Sequence, residues 1–227
     1  MKEGPVLGDG GYLLELERRG YVKAGPYTPE VAIEHPEALR QLHTEFLRAG
    51  SEVLQTCTFY ASREKLRTAG YAAQVEQINR AATRIAREAA GDKALVAGNL
   101  SLTWQYNPDD ASSTDRVLEL FRQQVALQKE EGADFFIAET FHYLGEALLA
   151  LKAIKEAGLP AMLTFNFKQP AVSREGRSPA ECARILEDNG ADIVGVNCGR
   201  EPKRMLPLAE EMRKTVRCHV AAQPAGF

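Results

Sequence analysis

The residues best equipped for chemistry in this sequence stand at one kind of place, the carboxyl ends of short apolar runs. Asp9 and Gly10 follow Val6 and Leu7, and Gln55, Thr56 and Thr58 close the run begun at Val53. Asn99 ends the run from Ala94, Glu139 and Thr140 end the run from Phe135, and Asn166 ends the run from Ala161. Asn197 and Cys198 end the run from Ile193, and Gln223 ends the run from His219. The set offers carboxylates, amides, hydroxyls and one thiol, with no histidine among them. That composition argues against a Ser-His-Asp or Cys-His nucleophile. It suits a site that holds a small zwitterion by charge and hydrogen bonds, with Cys198 as a metal ligand.

Each residue also has a plainer reading. A lone cysteine such as Cys198 is commonly a small buried hydrophobe. Asp9 suits the cap of a following helix. Glu139 is harder to set aside, because a carboxylate closing an apolar strand needs a partner. Phe59, Tyr60, Phe141 and Tyr143 read either as rim packing or as walls of a ligand site. His142 is expected to be solvated, and His35, His43 and His219 to be structural.

The elements that position these residues repeat one join. Gly50, Gly132 and Gly190 each stop a helix; a small residue and an acidic one follow, and an apolar strand begins. Repetition of such a join marks βα units and a parallel sheet. Seven strands are expected, near 6–9, 53–58, 94–99, 135–139, 161–166, 193–198 and 219–223. Pro36 suits the first turn of a helix carrying Leu39, Leu42, Phe46 and Leu47, closed by Gly50. Long helices over about 72–90, 144–157 and 203–215 supply crossovers of the length that right-handed connections need. Strands of this kind with polar carboxyl ends predict an α/β fold, a (β/α)8 TIM barrel ending after its seventh strand. An open dinucleotide-binding sheet is disfavoured, since Gly8-Asp-Gly-Gly11 is not the phosphate-binding fingerprint and Asp9 repels a pyrophosphate.

The 227 residues fit one barrel domain spanning 1–227, incomplete at its C-terminal end. Hydrophobic residues make up 44% and the formal charge is −3, so no basic stripe marks a nucleic-acid partner. No apolar run approaches the roughly 18 residues of a membrane span. Met1-Lys-Glu-Gly-Pro5 has no signal-peptide core, so a cytoplasmic location is expected. The four cysteines, Cys57, Cys182, Cys198 and Cys218, show no CxxC spacing and are expected to be reduced.

Taken together, the residues resemble a known family. Gly8-Asp-Gly-Gly11, Arg19-Gly-Tyr-Val-Lys-Ala-Gly-Pro26, Thr28-Pro-Glu30 and Glu34-His-Pro-Glu-Ala38 carry the first part of the likeness. Phe46-Leu-Arg-Ala-Gly50, Gln55-Thr56, Thr58-Phe-Tyr-Ala-Ser62, Ala94-Leu-Val-Ala-Gly98, Ile137-Ala-Glu139 and Gly195-Val-Asn-Cys198 carry the rest. In this collinear order they resemble the zinc-dependent homocysteine S-methyltransferases, most nearly the betaine–homocysteine branch.

The resemblance implies a barrel that moves a methyl group from an onium donor to homocysteine, giving methionine. It implies that Asp9 and Gly10 contact homocysteine and that Glu139 takes its ammonium group. Gln55, Thr56, Tyr60 and Asn197 would complete the substrate site, and Tyr27 with Tyr60 would face the donor. Cys198 would be the first of three zinc-binding cysteines. In such a site zinc removes the proton of a thiol whose ordinary pKa is about 8.5, and aromatic faces attract the cationic donor.

Two departures stand out. The family's adjacent pair of zinc cysteines, in a Gly-Gly-Cys-Cys-Gly segment, has no counterpart in these 227 residues, so the other two ligands are absent and the chain alone is expected to be inactive. Tyr27 and Thr140 replace larger aromatics of the betaine branch, which opens the donor to S-methylmethionine or a methylated thetin. Open strand edges favour association into a homo-oligomer. A non-catalytic barrel that binds an amino acid or a partner subunit without metal is the alternative. An aldolase or lyase is weaker, since the strand ends show no clear Schiff-base lysine.

Overall fold

The structure, a computed structural model, describes residues 4–22 and 29–225. Tyr27 lies outside the described residues. Contacts divide the chain into two compact units, 1–100 with 123–135, and 101–122 with 136–227.

In the first unit, α1 (Tyr12–Arg18), α2 (Val31–Glu34) and α3 (Pro36–Arg48) precede β1 (Val53–Gln55). Next come α4 (Arg63–Arg67), α5 (Val75–Ala90) and β2 (Leu95–Ser101). β1 and β2 pair in parallel, Val53 with Leu95 and Gln55 with Ala97. Pro36 opens α3, and Gly50 follows it at φ +101°, a backbone state that favours glycine. Ala38, Leu39 and Leu42 recur at helical spacing, and they pack with Leu16, Val31 and Ala82 in one apolar cluster. The last part of α6 (Ala111–Glu130), the helix expected to stop at Gly132, also belongs here.

The second unit is built from βα repeats: β3 (Phe135–Phe141), α7 (Leu144–Glu156), β4 (Ala161–Phe165), α8 (Pro179–Asp188), β5 (Ile193–Asn197), α9 (Pro202–Thr215) and β6 (His219–Gln223). β3, β4 and β5 each pair in parallel with the next strand. All five residues of β4 are buried, as a strand covered on both faces requires. α8 starts with a capping box in which Ser178 accepts from the Glu181 amide and Glu181 accepts from the Ser178 amide.

The acidic residue of the repeated join has a defined task. Asp134 Oδ2 accepts the Val96 amide at 2.7 Å and is paired with Arg87. Asp192 Oδ2 accepts the Ala161 amide at 2.8 Å and Lys155 Nζ at 3.0 Å. In each case the carboxylate satisfies a strand-start N–H that would otherwise lack a ladder partner.

One expected element is absent. Residues 6–9 are not a strand, and six strands, not seven, are found among the described residues. The segment still lies along β1: Leu7 O accepts the Glu52 amide at 2.8 Å. At the next position the acceptor is a side chain, Asp9 Oδ2 at 2.5 Å from the Gln55 amide, so the backbone ladder stops. β1 is also shorter than expected, because the Thr58 amide turns back to Thr56 O at 2.8 Å. Among the described residues no helix is long and apolar enough to cross a membrane.

Gly195 shows how tightly β5 and β6 are joined. A Cβ there would stand 2.2 Å from the backbone oxygen of Ala221. Gly195→Ala is therefore expected to destabilise the chain by about 1–3 kcal/mol or more, since backbone cannot yield as a side chain does. An unchanged urea midpoint would contradict this packing.

Candidate functional site

In the second unit the strand ends converge on Asn197. Its carboxamide oxygen accepts the Thr140 amide at 3.0 Å and the Thr164 hydroxyl at 2.9 Å. Its Nδ2 hydrogens serve Thr140 Oγ1 at 2.7 Å, Glu139 Oε2 at 3.0 Å and Cys198 Sγ at 3.3 Å. Asn197 is 1% exposed and Glu139 8% exposed, so the carboxylate sits at the edge of the interior with a neutral amide donor beside it. Neither group brings a positive charge.

The backbone is bent to aim these groups. Thr140 has φ +67° and Cys198 φ +54°. A β-branched residue in that region is an outlier, and such strain gathers at functional sites. The pairing of β3 with β4 shifts register between Ala138 and Phe141, a bulge that contains Glu139 and Thr140.

The Cys198 thiol is solvent-accessible, unlike those of Cys57 and Cys182. Although the residue as a whole is exposed, partial burial of the sulfur and then the Glu139 charge push its pKa above the ordinary thiol value, against bonds with Asn197 and Thr140. Burial pushes Cys57 and Cys182 up to about 12 and Cys218 to about 11. An accessible sulfur at a strand end is the right kind of donor for zinc. A zinc site, however, takes three protein ligands or more. Among the described residues no three His, Cys, Asp or Glu side chains are grouped for a metal ion, so they do not form a zinc site by themselves.

The first unit places the remaining candidates in two groups. Asp9 Oδ2 accepts from Tyr12 Oη and from the Gln55 amide, both at 2.5 Å. Burial pushes the Asp9 carboxyl up to about 6, although those two bonds pull the other way. Gly10 lies against Phe46, and a Cβ there would meet the ring at 2.9 Å.

Thr56 is turned inward. Its hydroxyl bonds Gln128 Oε1 at 3.0 Å, Thr58 Oγ1 at 2.9 Å and the Asn99 amide at 2.9 Å. Gln128 Nε2 donates onward to Asn79 Oδ1 at 3.1 Å. Tyr60, at φ +58°, stacks obliquely on Phe59 at 4.3 Å and has Lys65 Nζ 4.0 Å above its ring centroid.

Sequence reasoning missed Tyr12, Gln128, Asn79 and Thr164. Gln128 and Asn79 are polar residues on buried helix faces, a signal legible only once those faces are assigned. His142 is not solvated as expected: it is half-buried, its Nδ1 lies 3.0 Å from Asn166 O, and burial lowers its pKa.

A model of the homocysteine S-methyltransferase family matches residues 6–227. Betaine–homocysteine S-methyltransferase 1 of Sus scrofa is 44% identical over 232 residues, covering 98% of this chain and 82% of that protein. S-methylmethionine–homocysteine S-methyltransferase BHMT2 of Pongo abelii is 44% identical over 230 residues, covering 98% of this chain and 61% of that protein. Across other relatives the chain spans between 52% and 57% of their length. The metallated form of the homocysteine methyltransferase MmuM from Escherichia coli superposes with a TM-score of 0.87 at 20% identity, over 100% of this chain and 85% of that one. That likeness establishes the fold, an α/β barrel type, in agreement with the βα repeats.

Removing the Asn197 carboxamide leaves the Thr140 amide and Thr164 hydroxyl without their acceptor. Each such buried loss costs about 1–3 kcal/mol. Asn197→Ala is thus expected to lose about 2–6 kcal/mol in urea denaturation. Asn197→Asp keeps an acceptor but sets a second carboxylate against Glu139, which raises the pKa of the pair. Its stability should fall as pH rises from the ordinary carboxylate range to the raised value, and a pH-independent loss would contradict this account.

Proposed function

Because the chain belongs to the homocysteine S-methyltransferase family, we propose that it binds homocysteine for transfer of a methyl group from an onium donor to the homocysteine sulfur, giving methionine. The observation that carries this reading is the buried Glu139 carboxylate, tied to the accessible Cys198 thiol through Asn197. In this reading Glu139 takes the substrate ammonium. Asn197 fixes the carboxylate, and Asp9 with Gly10 and Gln55 provides further substrate contacts. Thr56 supports the site through its bonds to Gln128 and Asn99 rather than through a free hydroxyl.

The donor is an onium compound. The relatives named for betaine and for S-methylmethionine stand at the same 44% identity, so overall likeness does not choose between them. Tyr60 is the first proposed donor contact, since aromatic faces attract cations. Tyr27 is the second proposed donor contact. Methyl transfer from a cationic donor to a thiolate cancels charge, so a site that excludes water favours it.

Zinc enters the proposal through Cys198, with ligands beyond the described residues completing its site. The 227-residue chain alone is therefore expected to bind zinc weakly and to form no methionine. Tight stoichiometric zinc, measured by competition with a chromophoric chelator, together with methionine formation would overturn that expectation. A cytoplasmic location, self-association, and the absence of nucleic-acid and membrane partners belong to the same proposal. The alternative, a metal-free amino-acid-binding relative, is distinguished by Cys198→Ala in an active, longer form: unchanged methyl transfer would remove the metal role.

Glu139→Gln keeps the size and the bond with Asn197 while removing the charge. It is expected to weaken homocysteine binding by about tenfold or more in calorimetric titration, the worth of one charge-assisted hydrogen bond. Retained affinity in a variant with unchanged circular dichroism would overturn the role given to Glu139.

A further inference from the structure

The group around Asp9 does more than offer a carboxylate. Tyr12 Oη stands 2.5 Å from Asp9 Oδ2 and 2.7 Å from His43 Nδ1, and the Tyr12 and His43 rings lie 4.7 Å apart. A phenol has one proton and donates in one direction at a time. With Asp9 ionised, Tyr12 donates to Asp9, and His43 must carry its proton on Nδ1 to donate to Tyr12. With Asp9 protonated and donating, Tyr12 turns to His43 Nδ1, and the imidazole proton must sit on Nε2. His43 is fully buried, and its Nε2 has no hydrogen-bond partner among the described residues. No bond at Nε2 therefore favours either tautomer, and the state of Asp9 decides.

We propose that Asp9, Tyr12 and His43 form a proton-coupled chain in which the charge on Asp9 sets the tautomer of His43, Tyr12 and His43 being positioning residues that hold Asp9 oriented and ionised for its ligand. The functional half of this rests on Asp9 as a homocysteine contact; the coupling itself does not. On protonation one proton is taken from water at Asp9, and His43 exchanges its ring proton from Nδ1 to Nε2, staying neutral throughout.

The other titratable or charged groups facing the chain are few. The Cys57 thiol bears on Tyr12 and is itself held protonated by burial, with Glu30 acting on it from the start of α2. Arg40, one turn before His43 on α3, opposes a charge on the imidazole. Burial pushes His43 down to about 3 while it pushes Asp9 up to about 6. Asp9 is thus protonated below about 6 and ionised above it, and His43 gains no proton across that interval. Removing the Tyr12 hydroxyl takes away a donor to the ionised carboxylate, so Asp9 moves further up.

The test is nitrogen-15 NMR of the four histidine rings in the labelled 227-residue chain, over about pH 4.5 to 8. His43 is expected to pass from the Nδ1–H to the Nε2–H tautomer as pH falls through about 6, with no imidazolium signature. A single tautomer throughout, or an imidazolium forming near that pH, would overturn the coupling. In Asp9→Asn, which has no charge to lose, the tautomer change should vanish; its persistence would overturn the assignment to Asp9.

Homocysteine titrations across the same range read the functional half. Tyr12→Phe should move the acid limb of binding to higher pH, whereas an equal loss at every pH would reduce Tyr12 to a structural part and overturn its positioning role. If the unaltered chain shows the tautomer change yet binds no homocysteine, the substrate reading fails and the coupling stands.

Discussion

A single buried carboxamide organises the second unit. Asn197 ends β5, and its five bonds reach β3 through Glu139 and Thr140, β4 through Thr164, and its own chain neighbour Cys198. The strands supply the backbone framework, but strand pairing alone does not orient a carboxylate and a thiol at adjacent ends. An amide does, since it donates and accepts at once and carries no charge of its own. Asn197 thereby orients the Glu139 carboxylate, while the left-handed backbone at Thr140 and Cys198 is held in place.

The first unit solves a similar problem with different groups. Asp9 takes the place of a strand backbone at the Gln55 amide, and Tyr12 and His43 secure it from α1 and α3. Thr56, Thr58, Asn99, Gln128 and Asn79 form a satisfied polar network within an otherwise apolar interior. Such networks fix one arrangement because any partial version leaves buried groups unpaired. Polar residues at strand ends therefore fall into two kinds here. Some hold the framework, as Thr56 does, and others present charge, as Glu139 and Asp9 do.

Much of this was legible in the residues themselves. The Gly-Ala-Asp joins announce the βα repeats, and position at the ends of apolar runs singles out Asp9, Glu139, Asn197 and Cys198. Val6-Leu7 has the composition of a strand, but the geometry turns on the Gln55 amide donating to the Asp9 carboxylate, which composition does not encode. Thr56 looked like a lining residue because strand-end position says nothing of which way a hydroxyl turns; Gln128, 72 residues away, decides that. Tyr12 and His43 escaped notice for the same reason. Each reads as ordinary helix-face packing until their atoms are found within hydrogen-bond distance.

The proposed function hinges on Glu139 as the receptor for an ammonium group. Calorimetric titration of the chain with L-homocysteine and with 4-sulfanylbutanoate, the same thiol acid without its amino group, tests that directly. Homocysteine is predicted to bind tighter by about tenfold or more, the worth of one charge-assisted hydrogen bond. Equal affinity for the two compounds, or no binding of homocysteine, would contradict the account.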